Sequence, residues 1–392
     1  MQKSKSIITL KNALIIFAVT LLYCGVKNFD MTDSSLYVIY LGDFSIGLCS
    51  RMLLGSILAL FKDSFTVEWV VNFARFFTFV FFIVVAFFSG SAISSAEEKH
   101  KKAIMVFTAL FIVSPFSVTV FAGDIFGFID LYCIFVLFIT VYFGNNKILI
   151  FTLPFIVAAG LFLHDCFITG YLAPCLGVIA YYAIKKYGKK FSAAAVFVST
   201  SVLSAATAVY TVIFAKNTVK MTEEQMLNYL AQKGNCSIEK VSLYYEHFLY
   251  LKDSAGLIEP DYSSNIWEFL KYMMIYTFSF FDVTDLIFFI FSIPLVAMIF
   301  VIWIKAVKNS GTFMEKVPYI LFMLTPVPQL ISLLFSNDFT RFLAATVIVQ
   351  FIYLFICVRQ KDKNIQPGLD IYSEKPVCFI IPCFSTLLMN LI

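Results

Sequence analysis

Charge is what this sequence has least of. Lys, Arg, Asp and Glu together make up 14% of its 392 residues, against about 25% in ordinary soluble domains. His and Trp number three each. No Gly-rich phosphate loop, internal repeat or low-complexity tract occurs, which argues against a nucleotide-binding loop or a repeat array. The nine Cys show neither CxxC nor Cys/His spacing, and most sit inside apolar runs as small hydrophobes. That pattern argues against a metal cluster or a disulfide framework. A formal net charge of +4 is too small to point to nucleic acid as a partner.

What fills the space is apolar. Hydrophobic residues make up 60% of the chain, and its 47 Phe alone outnumber the 25 Asp plus Glu. Mean hydropathy is +0.87. A water-soluble globule cannot hide that much apolar surface, so the expected fold is an all-α, polytopic transmembrane helix bundle, one integral membrane domain over 1–392.

A span needs about 20 mainly apolar residues. Such runs occur at 10–27, 69–94, 103–122, 126–144, 148–163, 167–184, 191–214, 286–304, 317–336, 341–358 and 376–392, giving eleven expected spans. The first reads as an uncleaved helix, since no small-residue cleavage site follows it. Residues 52–61 are too short to span and read as a re-entrant or interfacial segment within a first outer loop, 28–66. Residues 267–281, aromatic and carrying Lys271, read as an interfacial helix.

Orientation follows from Lys and Arg in short loops. A cytoplasmic N-terminus puts Lys3, Lys5, Lys11, Lys99, Lys101, Lys102, Lys147, Lys185, Lys186, Lys189, Lys190, Lys305, Lys308, Lys316, Arg359, Lys361, Lys363 and Lys375 inside, 18 of the 29 basic residues. Only Glu97, Glu98, Glu315, Asp362, Asp370 and Glu374 among the 25 acids join them. The one long polar excursion, 215–266, then lies outside as a helical loop. Thr222 to Gln225 has capping-box spacing, Gly234 can end the first helix, and Ser237 can open a second that runs to about Lys252. Asn235-Cys236-Ser237 formally matches a glycosylation acceptor.

The polar residues near the spans gather at the outer level. Asp30 and Asp33 in the first loop, three residues apart, can hold a divalent cation or serve as general base, or can simply cap a helix. Arg51, at the mouth of the short apolar segment, can grip phosphate in bidentate fashion or snorkel to a headgroup. Glu68 and Arg75 stand at the top of the second span. Asp124 caps a short turn, and Asp130 lies one turn inside the next apolar run, where it should pair with Arg or His or hold a metal. His164 and Asp165 end the fifth span. His164 is the sole His beside a span, and offers a proton acceptor near neutral pH or a phosphate contact. As adjacent residues on a helix, the two need not face each other. Asp338 and Arg341 can pair across one turn, or Arg341 can point at an anionic leaving group. Asp30, Asp33, Asp130 and His164 are thus the candidate catalytic groups. Arg51, Arg341 and Arg75 are the candidate phosphate ligands.

An N-in helix, an acidic first outer loop leading into membrane-parallel segments and many short-looped helices resemble the polytopic GT-C-type glycosyltransferases. The short charged tops are similar to the O-antigen and exopolysaccharide polymerases of bacterial envelopes. The likeness is architectural over most of the chain, with motif support at Asp30/Asp33, Arg51, His164 and Arg341. It implies a multi-pass enzyme of a bacterial cytoplasmic membrane that transfers sugar from a polyprenyl-phosphate-linked donor to a glycan or lipid acceptor among membrane lipids, with a divalent cation as an open possibility. In such a transfer an acid deprotonates the acceptor hydroxyl and cations stabilise the departing phosphate. The alternative is a transporter or flippase of a lipid-linked or anionic solute. Prolines inside the spans, above all Thr325-Pro-Val-Pro-Gln329, fit its broken helices. A membrane acyltransferase with His164 as base is a third reading.

Overall fold

The computed structural model describes residues 2–29, 37–188, 191–242, 283–333 and 339–391, and every regular element among them is helical. Seven helices are long and apolar enough to cross a membrane: Ser6–Val26, Val67–Ser95, Glu98–Ala122, Ile168–Lys186, Ser192–Phe214, Val283–Asn309 and Phe339–Arg359. The expected runs at 126–144 and 148–163 appear as the shorter helices Asp130–Gly144 and Leu149–Leu163. At 1.5 Å per residue each is about 22 Å long, below the roughly 30 Å of a hydrocarbon core. The run at 317–336 breaks into Phe313–Leu324 and Pro326–Ser332. The last run is one arm of a pair, Lys363–Glu374 and Pro376–Leu391, bent by 93°. The eleven apolar runs are therefore not eleven unbroken helices. Segment 52–61 yields only the seven-residue α2 (Leu53–Ala59), as a non-spanning segment should, and 267–281 lies outside the described residues.

The helix that organises the rest is α14 (Phe339–Arg359), buried without interruption from Arg341 to Val358. A helix apolar on all sides belongs in the middle of a bundle. It packs against α3 (Val67–Ser95), α4 (Lys101–Val113), α11 (Val283–Asn309) and α13 (Pro326–Ser332). Phenylalanine does much of the filling: Phe351 stacks on Phe111, and Phe355 meets Phe88 edge to face. At the periphery α1 (Gln2–Val26) lies along α3, where a Cβ on Gly90 would come within 2.9 Å of the Ala13 backbone. Only glycine allows that approach, a recurrent device between membrane helices.

Two buried glutamines answer two prolines. Pro326 has no N–H, which leaves the Phe322 carbonyl four residues earlier without its usual donor. Gln350 of α14 supplies one, Nε2 at 2.8 Å, while its Oε1 accepts from the Trp303 indole at 2.8 Å. Pro174, at the start of α7 (Ala173–Tyr181), does the same to Gly170. Gln329 of α13 donates to the Gly170 carbonyl at 2.7 Å and accepts from Thr346 at 2.9 Å. Backbone groups freed inside a bilayer must be satisfied within the protein, and at these two prolines the glutamines do it.

The polar residues divide between the two ends of the bundle. One end carries Lys99 and His100 bonded to Asp370 (2.6 and 2.7 Å), Tyr181 and Tyr319 donating to Asp362, and Lys186 donating to the Asn145 carbonyl. The other carries the first loop, packed on the segment that follows α8 (Phe191–Val209). There Leu48 N donates to Thr218 Oγ1 at 2.9 Å, and Phe65 N to the Lys233 carbonyl at 2.7 Å.

Candidate functional site

The site grows from the break after α6 (Leu153–Leu163). His164 leaves the helix in an extended conformation, φ −165° and ψ 144°, so it and Asp165 are not helical neighbours. Their side chains meet, with His164 Nδ1 2.9 Å from Asp165 Oδ1. This corrects the helix-based expectation that the two need not partner. The same Nδ1 lies 3.0 Å from the Cys166 amide nitrogen. The two contacts require different protonation: a protonated Nδ1 donates to Asp165, a bare one accepts from Cys166.

Asp165 also holds Arg51 in a fork, Nε to Oδ1 at 3.1 Å and Nη2 to Oδ2 at 3.2 Å. Arg51 sits at φ +67°, a left-handed conformation that is uncommon without glycine and clusters at functional sites. Its neighbours fix the turn: Ser50 Oγ donates to the Leu161 carbonyl at 3.1 Å, and Cys49 Sγ to the Ala215 carbonyl at 3.3 Å.

On the inner side of His164, Asp130 heads α5 (Asp130–Gly144) rather than lying one turn within it, so its carboxylate faces the positive end of that helix dipole. Arg341, two residues into α14, donates from Nε to Asp130 Oδ2 at 2.8 Å, with its guanidinium carbon 4.9 Å from the Phe128 ring centroid. Cys166 joins the two halves. Its sulfur is 3.5 Å from Arg341 Nη2 and 3.7 Å from Asp130 Oδ1. Asp130 thus meets Arg, one of the partners expected for it. Asp338, the other expected partner of Arg341, lies outside the described residues.

Arg51, His164, Asp130 and Arg341, spread over nearly 300 residues of sequence, therefore form one bonded group through Asp165 and Cys166. Asp30 and Asp33 lie outside the described residues. Arg75, on α3, donates to Asn72 of its own helix at 3.1 Å. The group is not an open chamber along its whole length. Asp130, His164 and Arg341 are buried, whereas the Asp165 side chain is 46% exposed and that of Arg51 16%. A ligand would enter at the Arg51–Asp165 pair.

Burial alone would lower the pKa of His164. The Cys166 sulfur and the Asp165 carboxylate outweigh both burial and the Arg51 charge, and raise it to about 9. For Asp165 burial pushes up, but Arg51 and His164 hold the carboxyl well below its ordinary range. Arg51, Arg341 and His164 thus gather around Asp165, Asp130 and the Cys166 sulfur, and a phosphate at Arg51 would replace Asp165 in a fork of the same shape. Among the described residues no cluster of three His, Cys, Asp or Glu can hold a metal ion.

Beside this group lies a buried pair that charge-run reading does not isolate. Lys233 of α9 (Glu223–Gly234) bonds Asp43, which also accepts from Tyr229 at 2.6 Å and from the Ser45 amide at 2.8 Å. Burial raises the Asp43 pKa, but the Lys233 and Tyr229 hydrogen bonds bring it below the usual value. The signal was in the spacing: Met226, Leu230 and Lys233 share one helical stripe, and the first two are buried. The α9 capping box is present, with Thr222 N 2.9 Å from Gln225 Oε1. The left-handed cap, however, is Asn235 at φ +48°, one residue past Gly234. His100, away from the candidate group, is also buried beside a span, so His164 is not the sole one. Comparison of the chain with protein-family models, curated proteins and solved structures finds no match.

Proposed function

We propose that this chain is an integral membrane glycosyltransferase or polysaccharide polymerase that acts on polyprenyl-phosphate-linked sugars at the end of the bundle bearing the first loop. The observation that carries the reading is the bonded group Arg51–Asp165–His164–Cys166–Asp130–Arg341, with its two guanidinium groups and its exposed edge at Asp165. In the proposed reaction the donor phosphate takes the fork of Arg51 from Asp165. The His164 imidazolium stabilises charge on the departing phosphate, and Asp130 with Arg341 holds the His164–Cys166 turn in place. The acceptor proton goes to a carboxylate of the first loop, Asp30 or Asp33, which a divalent cation can also engage.

The proposed topology has eleven traverses and a cytoplasmic N-terminus. Contacts at the two ends support it. Asn390, at the far end of α16 (Ile380–Leu391), bonds Tyr23 and the Val113 carbonyl, which belong to the first-loop end. Asp370, before it, lies at the other end with Lys99 and His100. In this topology broken or short helices complete passages that no single long helix makes. The transporter reading draws on the same prolines, but Gln329 and Gln350 already occupy the carbonyls freed by Pro174 and Pro326, and no charge accompanies them.

The test uses purified full-length protein in detergent with a polyprenyl-pyrophosphate-linked sugar and acceptor. Product formation without compartments cannot come from transport. Arg51→Lys should lower turnover at least tenfold at normal protein abundance, since one ammonium cannot reproduce the fork. Unchanged turnover in Arg51→Lys would remove Arg51 from the phosphate site, and no product under any donor would return the chain to the transporter class.

A further inference from the structure

At the end of the bundle opposite the candidate site, α3 and α5 leave a half-open groove of about 420 Å³ lined by Ile83, Phe87, Phe135, Ile139, Tyr142 and Arg359 among others. Ile83, Phe87, Ile139 and Tyr142 are exposed, so the groove opens on the surface that a bilayer would cover. All but one of its lining groups are hydrocarbon or aromatic. The exception is the Arg359 guanidinium, stacked 4.6 Å from the Phe88 ring centroid. Among the described residues no carboxylate pairs with it. Half-buried beside an apolar groove, that charge calls for an anion.

Level with it, Lys186 and Gln360 both bond Asn145, just past the end of α5, which puts this end of the groove at the membrane–water boundary. A lipid phosphate lies at that depth, and its chain runs toward the midplane, as the groove does. Eighteen residues of α14 separate Arg341 from Arg359, about 27 Å along the helix. An occupant at Arg359 is therefore at the opposite membrane face from the proposed reaction and is not its substrate.

We propose that this groove is a binding site for an anionic phospholipid, with one acyl chain between α3 and α5 and the phosphate on Arg359. Charge complementarity selects the headgroup: a guanidinium without a carboxylate favours a net negative lipid over a zwitterionic one. The site stands independently of the proposed sugar chemistry.

Native mass spectrometry of the delipidated full-length protein, titrated separately with phosphatidylglycerol, phosphatidylethanolamine and a polyprenyl phosphate, tests this. Phosphatidylglycerol should bind about tenfold more tightly than phosphatidylethanolamine, and Arg359→Gln should erase that preference. Ile139→Trp, which fills the groove while leaving Arg359 in place, should weaken phosphatidylglycerol binding by a similar factor and serves where Arg359→Gln does not fold. Equal affinity for the two phospholipids, or an unchanged titration in Ile139→Trp, would overturn the proposal. So would polyprenyl phosphate displacing phosphatidylglycerol at equal concentration, because the groove would then belong to a donor lipid.

Discussion

At the scale of single residues, His164 decides what the site can do, because its Nδ1 faces an acceptor on Asp165 and a donor on Cys166. The imidazolium serves Asp165, and the neutral ring serves the backbone. Its folded pKa of about 9 exceeds the unfolded value of about 6.5, so the linkage has one sign. The stabilisation is complete below about pH 6.5, shrinks as pH rises, and is gone once pH passes about 9. The unfolding midpoint in micelles should therefore fall between pH 7 and 10 in the wild-type chain, with a shallower fall in His164→Gln. Parallel curves would mean that His164 is neutral throughout, bonded to Cys166 alone. Asp165 contributes nothing to this slope, since its depressed pKa keeps it ionised across the whole interval.

At the scale of elements, breaks rather than lengths set the architecture, and two of the breaks are matched by a glutamine elsewhere. Gln329 and Pro174 are 155 positions apart and joined by one hydrogen bond to the Gly170 carbonyl. Gln329→Leu should cost about 1–3 kcal/mol, the penalty of a buried carbonyl left without a donor. Thr346 loses little, because its hydroxyl also reaches the Phe342 carbonyl at 2.9 Å. Adding Pro174→Ala restores an N–H within reach of Gly170, so the double variant should recover part of the loss. Strict additivity in reversible unfolding would show that proline and glutamine are not coupled. The apolar runs that became helices were legible because the bilayer demands them, and Arg51, His164, Asp130 and Arg341 because an ion beside a span is costly. That Asp130 meets an Arg was legible; the Arg51–Asp165–His164 pairing was not. It depends on where α6 stops and on the extended residue after Leu163, which apolar composition does not encode. Lys233 escaped for the opposite reason: in a helix read as solvent-exposed, a lysine draws no notice until its stripe partners Met226 and Leu230 prove buried.

At the scale of the whole molecule the argument is about sides. Lys99, Lys186 and Arg359 stand at one end, with Lys147 just past α5, while Arg51, Asp43, Asp165 and α9 stand at the other. Basic residues in short loops remain on the cytoplasmic side during insertion, so the end with Lys147 and Lys186 should be internal and the candidate site external. Gln232 on α9 and Lys147 after α5 are both exposed and serve as reporters. With Cys24, Cys236, Cys378 and Cys383 replaced by Ser to remove the native thiols that are not buried, a membrane-impermeant maleimide should label Gln232→Cys in intact cells. Lys147→Cys should label only after permeabilisation. Because Asp43 and Lys233 bind the first loop to α9, the result for position 232 fixes the side of Arg51 and Asp165 as well. Labelling in the reverse order would put the Arg51–Asp165 pair and its buried partners in the cytosol, where donors displayed on the outer leaflet do not reach them, and the proposed sugar transfer would fail with the topology.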